Sequence, residues 1–504
     1  MLIIPVCVRN FSPLSARWLG SVALICSALA CSSKNEGAGL KQESSAPEAA
    51  AGFDVNDVAV LFPKLKGINE ASPSIKASDR AGDGRGFLSP RILDQILVFS
   101  EQQLPGRIRA TEKNLENWRI QSFRFDPCAP KDKSSQALSL GAMAEGQAKE
   151  DCQVEVRLVL QPMEPLGPFA GSGRTSDVSM HMTYGISEGS GSPELARLVQ
   201  ELDGIRALSA TIAGGRTAGI PLGRHPGLEA EMSQSKDQRP LAGAFKEFLQ
   251  HNLREEQLVR ITFSQIDSFS NTRWLFFGGS VSHKDGEANW IAFDLPHDPK
   301  TKTIEYRPDD ALFGNALQPK PETLSTNALF SSASVGRGVV FNPGFGVGAS
   351  GRPMPIEEAQ NLIGTLENPA KTNIFTTDCV SCHTSTSRGI TLGIPALGMA
   401  DRPRGITGYP YAPLRTQEEI QQRMRWNGPQ VSTWNVRNFG SFESQATVSN
   451  RTVNEAMGSA LYINALFFNK KNPGLDCVDA DKNGAVATCL LEGKREDCLA
   501  ICQK

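Results

Sequence analysis

The sequence predicts an α+β chain: an antiparallel-sheet domain over residues 53–335, a mainly helical segment over 352–470, and a disulfide-rich tail over 471–504. Three observations carry this. Several runs between Trp118 and Leu295 alternate apolar and polar residues with the period of a half-buried strand. Thr416-Gln417-Glu418-Glu419 and Thr452-Val453-Asn454-Glu455 have the form of capping boxes, the second followed by a broad apolar side. Cys477, Cys489, Cys498 and Cys502 crowd the C-terminus. The length of 504 residues leaves room for two or three domains, and 40% hydrophobic content is enough for a core. A net charge of −2, with no basic stripe, gives no electrostatic case for nucleic acid.

The N-terminus has the form of a targeting segment. Arg9 and Arg17 supply positive charge, and the apolar run Trp18 to Ala30 falls short of the roughly 20 residues that span a bilayer. It ends in Ala28-Leu29-Ala30-Cys31-Ser32-Ser33, which resembles a bacterial lipoprotein signal. That resemblance implies removal of residues 1–30 and lipidation of Cys31; cleavage after Ala30 without a lipid and an uncleaved anchor are the alternatives. Residues 31–52 are small and polar, the composition of a flexible tether.

From Phe53 the pattern changes. Val55, Val58, Val60, Leu61 and Phe62 suggest a first strand, and Leu88 to Leu104 a helix. Trp118 to Phe125 and Cys152 to Leu160 alternate as two neighbouring strands, with a polar loop between them whose ends Cys128 and Cys152 would staple. A loop-closing bond of that size is worth about 3 kcal/mol. Val178 to Tyr184 is a short strand; Pro193 to Leu202 and Leu241 to Leu253 are helices. Leu258 to Ile266, Arg273 to Val281 and Asn289 to Leu295 read as an antiparallel meander, and Thr303 to Tyr306 adds a strand. The Gly-rich run Gly336 to Gly351 marks the boundary; Gly344-Phe345-Gly346-Val347-Gly348 lacks the strand and helix of a nucleotide loop.

Cys379-Val380-Ser381-Cys382-His383 reads C-x-x-C-H, the attachment sequence for a c-type haem. Thiols three positions apart on one turn can both form thioethers to the vinyl groups, and the adjoining imidazole can bind the iron. A zinc site would need two more ligands close in sequence. A thioredoxin-like pair would want a βαβ setting. Neither flanks the motif. The cysteine count agrees with export. Cys7 and Cys26 leave with the signal, Cys31 takes the lipid, and the rest fall into even sets, as an oxidising compartment favours.

Ile356 to Leu366 reads as a helix, and further helices open at Thr416 and Thr452. Helix, C-x-x-C-H, loop and closing amphipathic helix resemble the class I cytochrome c fold over residues 352–470. The resemblance implies one covalent haem c on Cys379 and Cys382, with His383 as proximal ligand and a methionine as sixth. Met399, in a Gly/Pro-rich segment, and Met424, on a helix, are the candidates; Met457 reads as core. The other histidines, His181, His225, His251, His283 and His297, read as surface or core residues, with one of them reaching across as the sixth ligand as the alternative. The implied protein is a cell-envelope lipoprotein, on the outer rather than the inner membrane. It would pass single electrons to a redox partner of the periplasm or outer membrane, acting as a carrier rather than a catalyst. The alternatives are a haem enzyme or sensor with an open sixth position, and a surface lipoprotein without haem.

Two further motifs are weaker. Gly185-Ile186-Ser187-Glu188-Gly189 matches G-x-S-x-G, but no doubly wound pattern surrounds it. Asp479-Ala480-Asp481-Lys482-Asn483-Gly484 copies half of a calcium loop, and Leu490 stands where the bidentate Glu belongs. A disulfide-held turn is the competing reading; the pairing of Cys477, Cys489, Cys498 and Cys502 stays open.

Overall fold

The computed structural model describes residues 52–63, 75–103, 105–106, 108–131, 151–163, 178–214, 222–232, 234, 239–266, 274–293, 303–306, 346–347, 353–354, 366–367, 369, 373, 379, 382–383, 385, 439–442 and 445–468. An antiparallel sheet dominates them. Strands β1 (Ala59–Leu61), β2 (Trp118–Pro130), β3 (Cys152–Pro162), β4 (Val178–Glu188), β5 (Leu258–Ile266), β6 (Trp274–Lys284) and β7 (Glu287–Ala292) follow one another in order across it. Strand β8 (Thr303–Tyr306) shares the outer edge of β6 with β7. The β6–β7 hairpin turns on Asp285 and Gly286, both at positive φ, where an Asp-Gly pair sits at little cost.

Period-2 alternation gives the sheet two faces of different chemistry. Phe123, Phe125, Val156, Leu158, Met180, Met182, Ile261, Phe263 and Phe277 point to one face, and all are buried. Helices cover it. Helix α2 (Pro90–Gln103) carries Ile92, Leu93, Ile96 and Leu97 on its inner side, and its Phe99 packs 5.0 Å from Phe277 and 5.3 Å from Trp290. Helix α4 (Pro193–Ile212) starts on the Ser192 hydroxyl, which accepts from Leu195 N at 3.2 Å, with Pro193 in the first turn. Helix α6 (Pro240–Asn252) sends Phe245 and Phe248 to 5.6 and 5.9 Å from Phe123. The fully buried Glu231, at the end of helix α5 (Pro226–Glu231), accepts from Leu241 N and Ala242 N at 2.7 and 3.0 Å, so a carboxylate meets the positive end of α6. Helix α3 (Ala110–Lys113) precedes β2, and the Trp118 indole donates to Glu112 O at 2.9 Å.

The opposite face carries Ser122, Arg124, Glu155, Arg157, Ser179, His181, Thr183, Arg260 and Ser264. Most of these are buried too, because the C-terminal part of the chain lies over them. Strand β11 (Phe439–Phe442) pairs with β12 (Gln445–Val448), and Ser122 Oγ donates to Phe439 O at 2.8 Å. Helix α7 (Asn450–Phe467) follows, with Ser449 as its cap. Its Glu455 pairs with Arg124 of β2 and, at 2.8 Å, with its own Arg451. Asn464 exchanges two hydrogen bonds with the Phe53 backbone, at 2.7 and 2.9 Å. Tyr462 is fully buried against the disulfide that joins Cys128 to Cys152, with Cα atoms 5.0 Å apart, and its hydroxyl pairs with that of Ser190. A short pair, β9 (Gly346–Val347) and β10 (Pro353–Met354), completes the described strands.

These contacts correct the expectation of a mainly helical cytochrome c-like domain after the sheet. The described residues are dominated by the antiparallel sheet, and the closing helix is part of that sheet's packing. Its apolar side is spent on β2, on the segment around Phe53 and on the disulfide, and nearly every residue from Asn450 to Ile463 is buried. Capping boxes and helical spacing report that a helix forms; they do not report what it packs on. The first element also differs. Val55–Val58 form helix α1, not a strand, because Asp54 and Asp57 close a reciprocal capping box there. The helix expected to open at Thr452 opens at Asn450, because the Ser449 hydroxyl accepts from Thr452 N at 3.2 Å.

Candidate haem-attachment site

Cys379, Cys382 and His383 all occupy helical positions and are partly exposed. The turn is continued by the buried Ser385, whose hydroxyl donates to Cys382 O at 3.3 Å. One helical turn therefore carries both thiols and the imidazole, as attachment through two sulfurs and an adjoining ligand requires.

The His383 ring lies over the polar face of the sheet. Its centroid is 5.2 Å from that of His181 and 5.3 Å from that of Phe276, edge to face in both cases. The register explains the pairing. His181 stands opposite Val159 of β3 and Thr262 of β5, and Thr262 stands opposite Gly278 of β6. Phe276, two residues before Gly278, shares that face one step along. His181 thus sits on an inner strand, paired on both sides. Burial pushes its imidazole down to about 3, with the His383 ring, Arg124 and Arg157 adding to the effect. At neutral pH it is uncharged and one ring nitrogen keeps its lone pair.

Beside this site runs a network of buried charges. Arg157 meets Glu155 at 2.9 Å, Asp126 at 3.5 Å and Glu455 at 3.9 Å, and Arg260 meets Glu155 at 3.5 Å. Burial alone would raise the Glu455 carboxyl, but Arg124, Arg451 and Arg157 together hold it down at about 2. Burial raises Asp126 against the pull of Arg157 and Arg124. The network ties α7 to β2 and β3 and fixes the cover on the polar face.

The other described histidines lie elsewhere, and His297 is outside the described residues. His225 is buried and its Nδ1 accepts from Leu228 N at 3.3 Å, capping α5; burial holds it down at about 3. His283 Nε2 contacts Leu258 O at 3.0 Å. His251 lies at the exposed end of α6. Ser187 of the G-x-S-x-G match lies in β4, and its hydroxyl pairs with that of Ser192 at 2.7 Å, in the cap of α4. Met457 is buried in α7. Met399, Met424, Cys31, Cys477, Cys489, Cys498, Cys502 and the Asp479 loop lie outside the described residues. Among the described residues no group of three or more His, Cys, Asp or Glu converges to hold an ion, and no helix is long and apolar enough to cross a membrane.

Phe276 is the site residue that sequence reasoning missed, and His181 was one of five histidines that could reach across, without being singled out. A signal for His181 existed: it occupies the outward phase of an alternating strand, between Ser179 and Thr183, where the inward phase holds Met180 and Met182. What the sequence lacked was the long-range contact to residue 383. No family model matches the chain, and no curated protein or solved structure is found similar to it.

Proposed function

We propose that the chain is an exported c-type haem protein that transfers single electrons, with haem bound covalently through Cys379 and Cys382 and its iron held by His383. The observation that supports this best is the seating of C-x-x-C-H. Both thiols and the imidazole share one helical turn, and the imidazole is directed onto a covered sheet face lined by an aromatic ring and a second imidazole. The donor set fits the group: two sulfurs for covalent attachment and a neighbouring nitrogen for iron. When bound, the group supplies one-electron exchange between ferrous and ferric iron, and the electron passes to or from a separate redox partner. Cys379 and Cys382 hold the group against loss. Phe276 keeps its surroundings apolar, and the α7–sheet network keeps the cover closed. The signal features around Arg9, Arg17 and Cys31 support a cell-envelope lipoprotein.

A second reading comes from residue types alone: Cys379, Cys382, His383 and His181 are also zinc-ligand types, although they are not gathered as a four-coordinate site would need. Production in a host with working cytochrome maturation machinery separates the two. Covalent haem, read as a pyridine haemochrome and a mass raised by one haem, is expected for the wild type and not for Cys379→Ala with Cys382→Ala. A polypeptide of apo mass that carries one zinc overturns the haem reading.

A further inference from the structure

We propose that His181 is a second residue that would hold the haem iron, so that the group would be held from the sheet as well as from the motif. The proposal rests on the reading of C-x-x-C-H as haem attachment and adds the residue opposite His383.

The two rings that meet come from residues 202 positions apart, and their contact at 5.2 Å joins the motif to the sheet. Two imidazoles that each bind one metal at about 2 Å from opposite sides would have ring centroids about 6 Å apart, so the rings, 5.2 Å apart here, would part by about 1 Å to admit the iron. His181 is held in a manner suited to a ligand. Ladder bonds on both sides of β4 fix its backbone, and the covered polar face limits its side chain. His225 and His283 are committed to backbone groups elsewhere. Methionine from the loop is thus not needed for a six-coordinate iron. An imidazole in place of a thioether also gives a lower reduction potential. A closed sixth position favours electron transfer over binding of small molecules, which sets aside the enzyme and sensor alternatives.

The test uses full-length protein matured with haem. The wild type is expected to be low-spin in both oxidation states, to lack the far-red band of a methionine–iron bond, and not to bind carbon monoxide. His181→Ala is expected to keep its covalent haem, to become high-spin and to bind carbon monoxide. Added imidazole then restores the low-spin spectrum, which a misfolded variant would not show. His181→Met, which keeps a ligand in place, is expected to gain the far-red band and a higher potential. A haem-loaded His181→Ala with the wild-type spectrum overturns the assignment, as does loss of the low-spin state in Met399→Ala or Met424→Ala. Both results leave covalent haem standing. A wild type without haem removes that foundation instead, and the haemochrome assay reads it directly.

Discussion

The two faces of the sheet are cut from the same strands and are held by different physics. On one, Phe123, Phe125, Leu158, Met180, Ile261, Phe263 and Phe277 meet helices α2, α4, α5 and α6 through apolar area. That attraction is non-directional, and many shapes of similar volume would satisfy it. On the other, Ser122, Arg124, Arg157, His181, Thr183 and Arg260 are covered by a hairpin and α7 through named hydrogen bonds and ion pairs. A buried ionic cover is no route to greater stability than an apolar one. It does fix where each group lies, and the candidate site sits on this face. The difference teaches that one side of this sheet serves folding and the other serves placement.

The comparison can be broken first on the apolar side. Phe123→Ala removes a fully buried ring that touches Phe62, Phe245 and Phe248, and it should cost about 3–5 kcal/mol in urea unfolding. That loss should not change with pH between 2 and 5. A cost under about 1 kcal/mol would mean that α6 does not pack on this face.

On the polar side, Glu455→Gln leaves Arg124 buried without its charge partner and should cost about 3 kcal/mol. Replacing both partners with apolar residues, Arg124→Met with Glu455→Leu, should recover part of that loss, because Arg451 and Arg157 still lose Glu455. Additive losses would show that the pair is not coupled. The pH dependence has a definite sign. Glu455 is held at about 2 in the fold against an ordinary 4.5, so its contribution is in place above 4.5 and is lost as pH falls from there through 2. Acid should therefore loosen α7 from β2 before it disturbs the apolar face. Hydrogen exchange of α7 amides against those of β5 checks the order.

The same contrast explains what could be read from the sequence. The strand runs at 118–125, 152–160 and 258–266 were legible because one face of each is apolar, with Gln265 the polar exception in the last. The C-terminal helix was legible as a helix, yet its place was not. Arg124 and Glu455 are 331 residues apart, and nothing local tells an outward Arg that it will be covered. For the same reason C-x-x-C-H was visible at once, while the residue facing it was not singled out. The motif is local chemistry, and His181 gains its meaning only from the register of three strands.

Glycines sharpen the comparison with the smallest effects. Gly279 lies opposite Ile261 on the apolar face, where an added Cβ would stand 2.4 Å from Ile291 O and 2.5 Å from the Trp290 ring. Backbone cannot yield as a side chain does, so Gly279→Ala should cost about 1–3 kcal/mol through overpacking and a strained β6–β7 ladder. Gly440, in the strand over the polar face, presents an added Cβ to Gln161 Oε1 at 2.9 Å and to Val159 at 3.9 Å. The first neighbour is the far end of a flexible side chain, which can turn aside. Gly440→Ala should therefore cost less than about 1 kcal/mol, within the range of an ordinary mild substitution. Thermal unfolding of the two variants side by side checks this. A larger loss at Gly440 than at Gly279 would mean that the hairpin is pressed onto the sheet as tightly as a core strand, so the polar face would be a second core and not a fitted cover.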